Sequence, residues 1–419
     1  MRWPKPLIAA AFAATTLSIA VALPSALHAS SDGSAVSAQV EERAPITILI
    51  SLDGFRKDYL DRGLTPNIAE LAAGGVLAGM YPSFPSLTFP NHHAIATGLR
   101  PDRNGIIGNT MTDPAHSPDF WVGGTDAWWW NESVPIWVAA EKAGIPTATE
   151  IWPGTTVATN GIFPTDWHQF GFTIGMRHRT DSIIDWARRP AENRPRFMML
   201  YIEELDHAGH EFGPDSPEVN ETLAALDVQI GRMRDTLAEM GQPANLVIVS
   251  DHGMAERSEN RVVPLHAEID GLGLAVEQGA YSSINPLPGK DAALAAVLLK
   301  PHKHMQCWRK GELPARFEYG KNPRVPEFFC LGETGWAVRG KPPKPGDRPW
   351  NGGTHGWDNQ DPLMRAIFIA NGPAFKPGAT LPDFDNVDVE PLLRELIGLP
   401  AHDAEIDGSA DVFRDVLVR

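Results

Sequence analysis

The stretch ITILISLD, from Ile46 to Asp53, is an apolar, β-branched run closed by a carboxylate. A run apolar on both faces predicts a buried strand of a parallel sheet. Two later stretches repeat the pattern. MMLYIEE is followed within a few residues by Asp206 and His210, in ELDHAGH, and NLVIVSDHG closes on Asp251 and His252. Between them, Ser216 to Met240 reads as a helix, with Ser216 as cap, Pro217 in the first turn and Gly241 as stop. Val219, Leu223, Leu226, Ile230, Met233, Leu237 and Met240 recur along it at steps of four and three, which makes a core-facing stripe. Further strands are expected at 147–151 and 365–370. Further helices are expected at 66–73 (capped by Thr65), 90–97, 136–143, 180–188 and 388–397. Strand–helix alternation of this kind gives an α/β fold, a mostly parallel sheet between helices. Ligands gather at the carboxyl ends of such strands, where these Asp and His residues fall.

Composition narrows the class. The 419 residues allow one large domain with an inserted subdomain, and the insertion is read at about 257–349 within a main domain of 45–419. That segment is rich in Pro and Gly turns and carries both cysteines. Lys and Arg number 36 against 52 Asp and Glu, a net charge of −16, which argues against a nucleic-acid polymer tract. Arg2 and Lys5, an apolar run to Leu23 and small residues at 26–29 read as a signal peptide (1–29), followed by a polar leader (30–44). The expectation is a secreted or periplasmic protein with no membrane span after cleavage; an uncleaved anchor is the alternative. In that compartment Cys307 and Cys330 most simply form one disulfide, the alternative being two buried thiols. Several of the 13 Trp crowd at Trp128, Trp129, Trp130 and Trp137, as an aromatic wall or as ordinary packing.

Asp53, Asp206, His210, Asp251, His252 and His355 supply three carboxylates and three imidazoles, a donor set suited to two divalent metals such as Zn²⁺. Each alone has a plain reading, a helix cap or a packed histidine. Asp206 and His210, four apart, share one face if the segment is helical. His92, His93 and His207 are read as supporting or packing groups. Thr88 lies before a helix start. It either caps that helix, a role Ser86 could share, or is a nucleophile whose hydroxyl a metal and a helix N-terminus would activate. Arg100 and Arg103 are read as surface residues.

Taken in order, SLDGFRKDYL, TPNIAELAAGG, YPSFPSLTFPNHHAIATG, NGIIGN, PIWVAAEKAG, WPG, YIEELDHAGHEFGP, VSDHGM and GTHGWDN resemble the nucleotide pyrophosphatase/phosphodiesterase family of the alkaline phosphatase superfamily. The cysteine-bearing segment looks like that of its bacterial, secreted members. The resemblance implies an alkaline-phosphatase-like core and two Zn²⁺, one held by Asp206, His210 and His355, the other by Asp53, Asp251, His252 and Thr88. It implies Thr88 as nucleophile. Asn109 would join the Thr88 backbone N–H on a phosphate oxygen, and Phe89 would line the substrate base. The chain departs from the family after WPG, where the usual Tyr is missing and Trp167, His168, Phe170 and Phe172 stand instead, and at Asn104, where a His is common.

The implied function is hydrolysis of nucleotide phosphodiesters and pyrophosphates to nucleoside 5′-monophosphates through a threonyl-phosphate. The implied partner is a small-molecule phosphodiester. Two alternatives are a phosphodiesterase for lysophospholipid or choline head groups, and a zinc-dependent binding protein without turnover. No sulfatase nucleophile segment occurs, and neither a Ser nucleophile nor a phosphate-clamping Arg of a classical alkaline phosphatase is evident.

Overall fold

The computed structural model describes residues 42–418 apart from 170, 172–173 and 347–349. The expected signal peptide, residues 30–41 of the expected leader, and Phe170 and Phe172 lie outside the described residues. Among those described, no helix is long and apolar enough to cross a membrane.

Seven strands build the spine: β1 (Ile46–Leu52), β2 (Val76–Tyr81), β3 (Thr147–Glu150), β4 (Asp166–His168), β5 (Phe197–Ile202), β6 (Ala244–Val249) and β7 (Ala366–Asn371). Their spatial order is β2-β7-β6-β1-β5-β3-β4, with the short pieces Ala379–Thr380 and Phe384–Asp385 paired to the outer side of β2. β1 is parallel to β5 and β6, and β3 is parallel to β4 and β5. β7 alone runs antiparallel, between β2 and β6, so β2 points the same way as β6. The carboxyl ends of β1, β2, β3, β5 and β6 therefore share one edge.

Alternate side chains of each strand feed opposite faces. Ile48, Ile50, Met198, Leu200, Leu246, Ile248, Ile367 and Ile369 pack under three helices: α1 (Pro66–Ala73), α4 (Met176–Arg188) and α6 (Pro217–Glu239). Leu49, Phe197, Met199, Val247, Val249 and Phe368 pack under α2 (Thr88–Thr97), α3 (Ile136–Lys142) and α7 (Val389–Ile397). The α6 stripe is buried from Val219 to Leu237, and Met240 packs at its margin. Trp137 lies in this core and not in a cavity wall.

Three local expectations change. The Thr65 hydroxyl makes no cap bond. The carboxylate of Asp227, on α6, accepts from Asn67 N–H and Ile68 N–H instead, so a tertiary contact satisfies the start of α1. α2 begins at Thr88 and not at Pro90, because the Asn91 N–H already bonds to Leu87 C=O. α4 begins at Met176, four residues before the expected start, with the Met176 N–H held by Glu204.

Between residues 257 and 352 lies a four-stranded antiparallel sheet, in the order Gly273–Glu277, Tyr281–Pro286, Phe328–Gly332, Met305–Arg309. Cys307 and Cys330 face each other across its last pair and are disulfide-bonded. The chain leaves through Ala255–Arg257 and returns through Gly352–Thr354, and these two short strands pair antiparallel as a neck.

Ile230 is fully buried in the stripe of α6. Ile230→Ala should lower unfolding free energy by about 3 kcal/mol, from lost apolar burial plus the cavity left behind. Chemical denaturation of the two proteins checks this; a change under about 1 kcal/mol would mean that the face does not carry the core.

Candidate active site

The edge where the strand ends converge is built from backbone outward. Asp53 continues the β1 ladder through its N–H to Ile202 C=O, 2.9 Å, which fixes its carboxylate just past the strand. Gly54 follows with φ 69°, and a Cβ there would lie 3.1 Å from Cα and Cβ of Asp206. Glycine thus meets both demands, a left-handed turn and close approach of two acidic segments. Asp206 and His210 lie one turn apart on α5 (Glu204–Phe212), and Asp251 and His252 follow β6. His355 follows the neck strand Gly352–Thr354.

The three imidazoles share one device. Nδ1 of His210 lies 3.0 Å from Gly353 C=O, that of His252 2.9 Å from Gly253 C=O, and that of His355 2.9 Å from Ser86 C=O. A carbonyl can only accept, so each Nδ1 carries the proton and each Nε2 offers a lone pair. Those Nε2 atoms meet the carboxylates. The His210 and His355 atoms are 3.1 Å apart and lie 3.3 and 3.7 Å from Asp206 oxygens. The His252 atom lies 3.0 Å from Asp251 and 3.5 Å from Asp53. The His252 and His355 rings stack at 3.5 Å, joining the two clusters.

Ligand atoms of Asp53, Asp251 and His252 all fall within 4.8 Å of one another, as do those of Asp206, His252 and His355. His252 therefore borders both clusters. One buried oxygen on each of Asp53, Asp206 and Asp251 accepts no hydrogen bond. Burial, then Asp251 and Asp206, pushes the Asp53 carboxyl well above its ordinary value. Burial, with His252 and His210 nearby, holds His355 well below the ordinary imidazole value, in the neutral form that ligates. Orphaned carboxylate oxygens facing imidazole Nε2 atoms fit divalent cations.

Thr88 is the first residue of α2, and its Oγ1 lies 3.3 Å from His252 Nε2. Neither Thr88 nor Ser86 caps the helix. The residue before it is Leu87, no side chain bonds the first turn from that position, and the Ser86 hydroxyl donates to Trp357 C=O at 2.9 Å. The Phe89 N–H donates to Asn109 Oδ1 at 3.0 Å, Pro90 has no N–H, and the Asn91 N–H bonds to Leu87 C=O. Of the first-turn donors, the Thr88 N–H has none of these partners, and Thr88 and Asn109 line the same cavity.

His92 is not placed as a ligand, since Nδ1 bonds to Thr88 C=O and Nε2 to Ser51 Oγ, both at 2.8 Å. His93 bonds to Ser133 Oγ, and His207 is exposed beside Glu211. Sequence reasoning passed over Tyr201, whose hydroxyl donates to Asp53 Oδ2 at 2.5 Å. Its signal was one phenol in the otherwise aliphatic and aromatic strand FMMLYI.

A cavity of about 310 Å³ opens over these groups, lined by Thr88, Asn109, Asp53, Asp206, His210 and His355 together with Phe89, Trp130, Ile151 and Trp152. Trp130 is thus the member of the tryptophan cluster that faces substrate space, while Trp128 stacks on His116 at 4.0 Å. Trp167 stacks on Phe163 at 5.2 Å and is absent from the wall. Among the described residues, no Lys or Arg lines the cavity. Arg100 corrects the expectation of a surface residue: its side chain is largely buried, paired with Glu318 at 2.6 Å and Asp385 at 2.9 Å. Arg103 is half-exposed and held by Asp407.

The chain is similar to known proteins. The model of the type I phosphodiesterase/nucleotide pyrophosphatase family matches residues 47–358. An uncharacterized pyrophosphatase/phosphodiesterase of Schizosaccharomyces pombe is 35% identical over 84% of this chain and 77% of its own length. The human ectonucleotide pyrophosphatase/phosphodiesterase family member 1 is 34% identical over 87% of this chain, which spans only 41% of that protein. The Xenopus laevis bis(5′-adenosyl)-triphosphatase is 32% identical over 85% of this chain and 78% of its own. The murine ectonucleotide pyrophosphatase/phosphodiesterase 5, solved as an inactive threonine-to-alanine form in complex with AMP, superposes with a TM-score of 0.84 at 29% identity, covering 90% of this chain and all of that one. On the family match and these identities, the chain belongs to the type I phosphodiesterase/nucleotide pyrophosphatase family.

Proposed function

We propose that this chain is a secreted or periplasmic two-zinc phosphodiesterase that hydrolyses nucleotide phosphodiesters and pyrophosphates to nucleoside 5′-monophosphates. The observation that carries the reading is the Thr88 hydroxyl, at a helix N-terminus, beside two clusters of orphaned carboxylates and Nδ1-tethered imidazoles. Asp206, His210 and His355 would hold one zinc, and Asp53, Asp251 and His252 the other. Bound there, the metals would supply Lewis-acid charge to lower the pKa of the attacking hydroxyl and to stabilise the leaving oxygen.

The chain's own residues account for the rest. The Thr88 N–H and the Asn109 NH₂ hold a non-bridging oxygen and present phosphorus to Thr88 Oγ1. Attack forms the Oγ1–P bond and breaks the bond to the leaving oxygen, the Thr88 hydroxyl proton being released and the leaving alcohol or phosphate taking one up, and gives a threonyl-phosphate that still carries the nucleoside. Water then attacks phosphorus, the Oγ1–P bond breaks, and a proton from that water returns to Oγ1. Tyr201 keeps Asp53 oriented through both steps. Phe89, Trp130 and Trp152 offer flat faces for a base. That wall, with the AMP bound by the murine relative and the dinucleotide substrate in the name of the Xenopus protein, favours a nucleotide over a lipid or choline head group.

Elemental analysis should find two zinc ions per chain, and exhaustive chelation should abolish hydrolysis of a nitrophenyl nucleotide ester until zinc is returned. Full activity with no metal detected would remove the assignment. Thr88→Ala should keep its metal and lose about 10³-fold or more in kcat, since the nucleophile is gone. More than about a tenth of wild-type kcat in that variant would assign the attack to water. A diester should be cleaved with higher kcat/KM than the matched aryl monoester. A monoester dianion needs an extra cationic partner, and the cavity wall offers none besides the metals. Faster monoester cleavage at the same pH and zinc would overturn this preference.

A further inference from the structure

A second cavity, of about 330 Å³, adjoins the first through four shared wall residues, Asn109, Val122, His210 and His355. It touches neither Thr88 nor Phe89. Phosphoryl transfer is roughly in line, so the leaving group departs on the side of phosphorus away from Thr88 Oγ1. The second cavity borders His210 and His355 and not Thr88, as a chamber for the departing group would.

Its walls come from the inserted sheet and from the hairpin Thr110–Asp113 with His116–Trp121. Tyr281, buried and stacked on Phe329 at 4.4 Å, forms one face. Trp121, 59% exposed, stands at the mouth. Its ring lies over Gly123, where a Cβ would come within 2.1 Å of it, so a small residue is required for that placement. Glu277 is the charged group in the wall. The register of its strand shifts between Ala275 and Glu277, a bulge of the kind that re-aims a side chain beside a site. Glu277 Oε1 accepts from Gln278 N–H at 3.1 Å. Burial raises its carboxyl above the ordinary value, while that N–H, Lys341 and Thr110 pull it back. Lys341 is the nearby cation; its Nζ donates to Val276 C=O at 2.7 Å, and it is not a wall residue. Among the described residues, neither Lys nor Arg lines this chamber.

Resting on the phosphodiesterase reading above, we infer that this chamber selects the leaving group, and that Glu277 makes it favour a neutral or cationic alcohol bearing O–H or N–H donors over a phosphate or polyphosphate. A carboxylate accepts from such donors and repels a second anion across a low-dielectric wall. Tyr281 and Trp121 give the flat apolar surface that an aryl or nucleoside alcohol covers. Phe89 and Glu277 thus sort opposite halves of one diester.

The test uses the zinc-loaded full chain and three aryl esters of one nucleoside 5′-monophosphate, carrying para-hydroxymethyl, para-aminomethyl or para-phosphono groups. Comparing variant with wild type for each ester cancels intrinsic leaving-group reactivity. Glu277→Gln should raise the phosphono-to-hydroxymethyl ratio of kcat/KM about tenfold and lower the aminomethyl-to-hydroxymethyl ratio by a similar factor, the scale of one charge contact in a partly buried site. Gln278→Lys, which keeps Glu277 and adds a cation to the same wall, should raise the phosphono ratio too. Ratios unmoved in both variants, or all three esters changed by one factor, would overturn the inference and leave the phosphodiesterase reading standing. A wild-type holoenzyme that cleaves none of the esters would overturn both.

Discussion

Three carboxylates gathered at one buried edge of the sheet are the constraint around which the rest is arranged. Asp53 and Asp251 are sealed from solvent and Asp206 nearly so. Two such charges about 5 Å apart repel by about 3 kcal/mol even at an effective dielectric of 20. That is a large share of the roughly 5–15 kcal/mol by which a domain is stable. Ordinary salt bridges do not relieve the cost, since one oxygen of each carboxylate accepts nothing. Cations do. The fold spends its precision on holding the other donors ready for them, with three backbone carbonyls fixing three imidazole tautomers and Gly54 letting two acidic segments touch.

The same edge explains why one hydroxyl is different from the other hydroxyls nearby. Ser86 is committed to Trp357 and Ser51 to His92. Thr88 has His252 beside it and a helix N-terminus behind it. Asn109 removes the Phe89 N–H from competition and lines both cavities. Among the described residues, neither cavity wall carries a guanidinium or ammonium, so in the proposed reaction substrate would be oriented by a small number of backbone and amide donors. A site of this kind depends on metal charge for anion binding, and on its walls for telling one ester group from the other.

The spine of the fold was legible because its strands are continuous apolar runs and its ligands sit directly after them. ITILISLD, MMLYIEELD and NLVIVSDHG announce both strand and site in one reading, and the α6 stripe is a plain helical period. What escaped the sequence was tertiary. Asp227 satisfying the start of α1 joins residues 160 apart, and nothing near Thr65 signals it. Arg100 reads as a surface residue until Glu318 and Asp385, from distant segments, close over it. Tyr201 looks like one more core residue until β1 brings Asp53 beside its hydroxyl. Trp130 could not be told from Trp128 and Trp129, because which of three adjacent rings faces a cavity depends on the turn that carries them.

The insertion has the same logic. It leaves the core immediately after Asp251 and His252 and returns immediately before His355, through a two-stranded neck whose Gly353 C=O also tethers His210. The segment that builds the second chamber is therefore anchored to both metal-type clusters by its own ends. Each end is pinned by ladder bonds and by a histidine tether, so the inserted sheet can change its wall residues without moving the ligands. Chemistry stays with the sheet edge, where strand geometry is hard to alter. Discrimination sits on a bulged strand and a hairpin, where a single side chain such as Glu277 or Trp121 can be exchanged while the donors of the site keep their places.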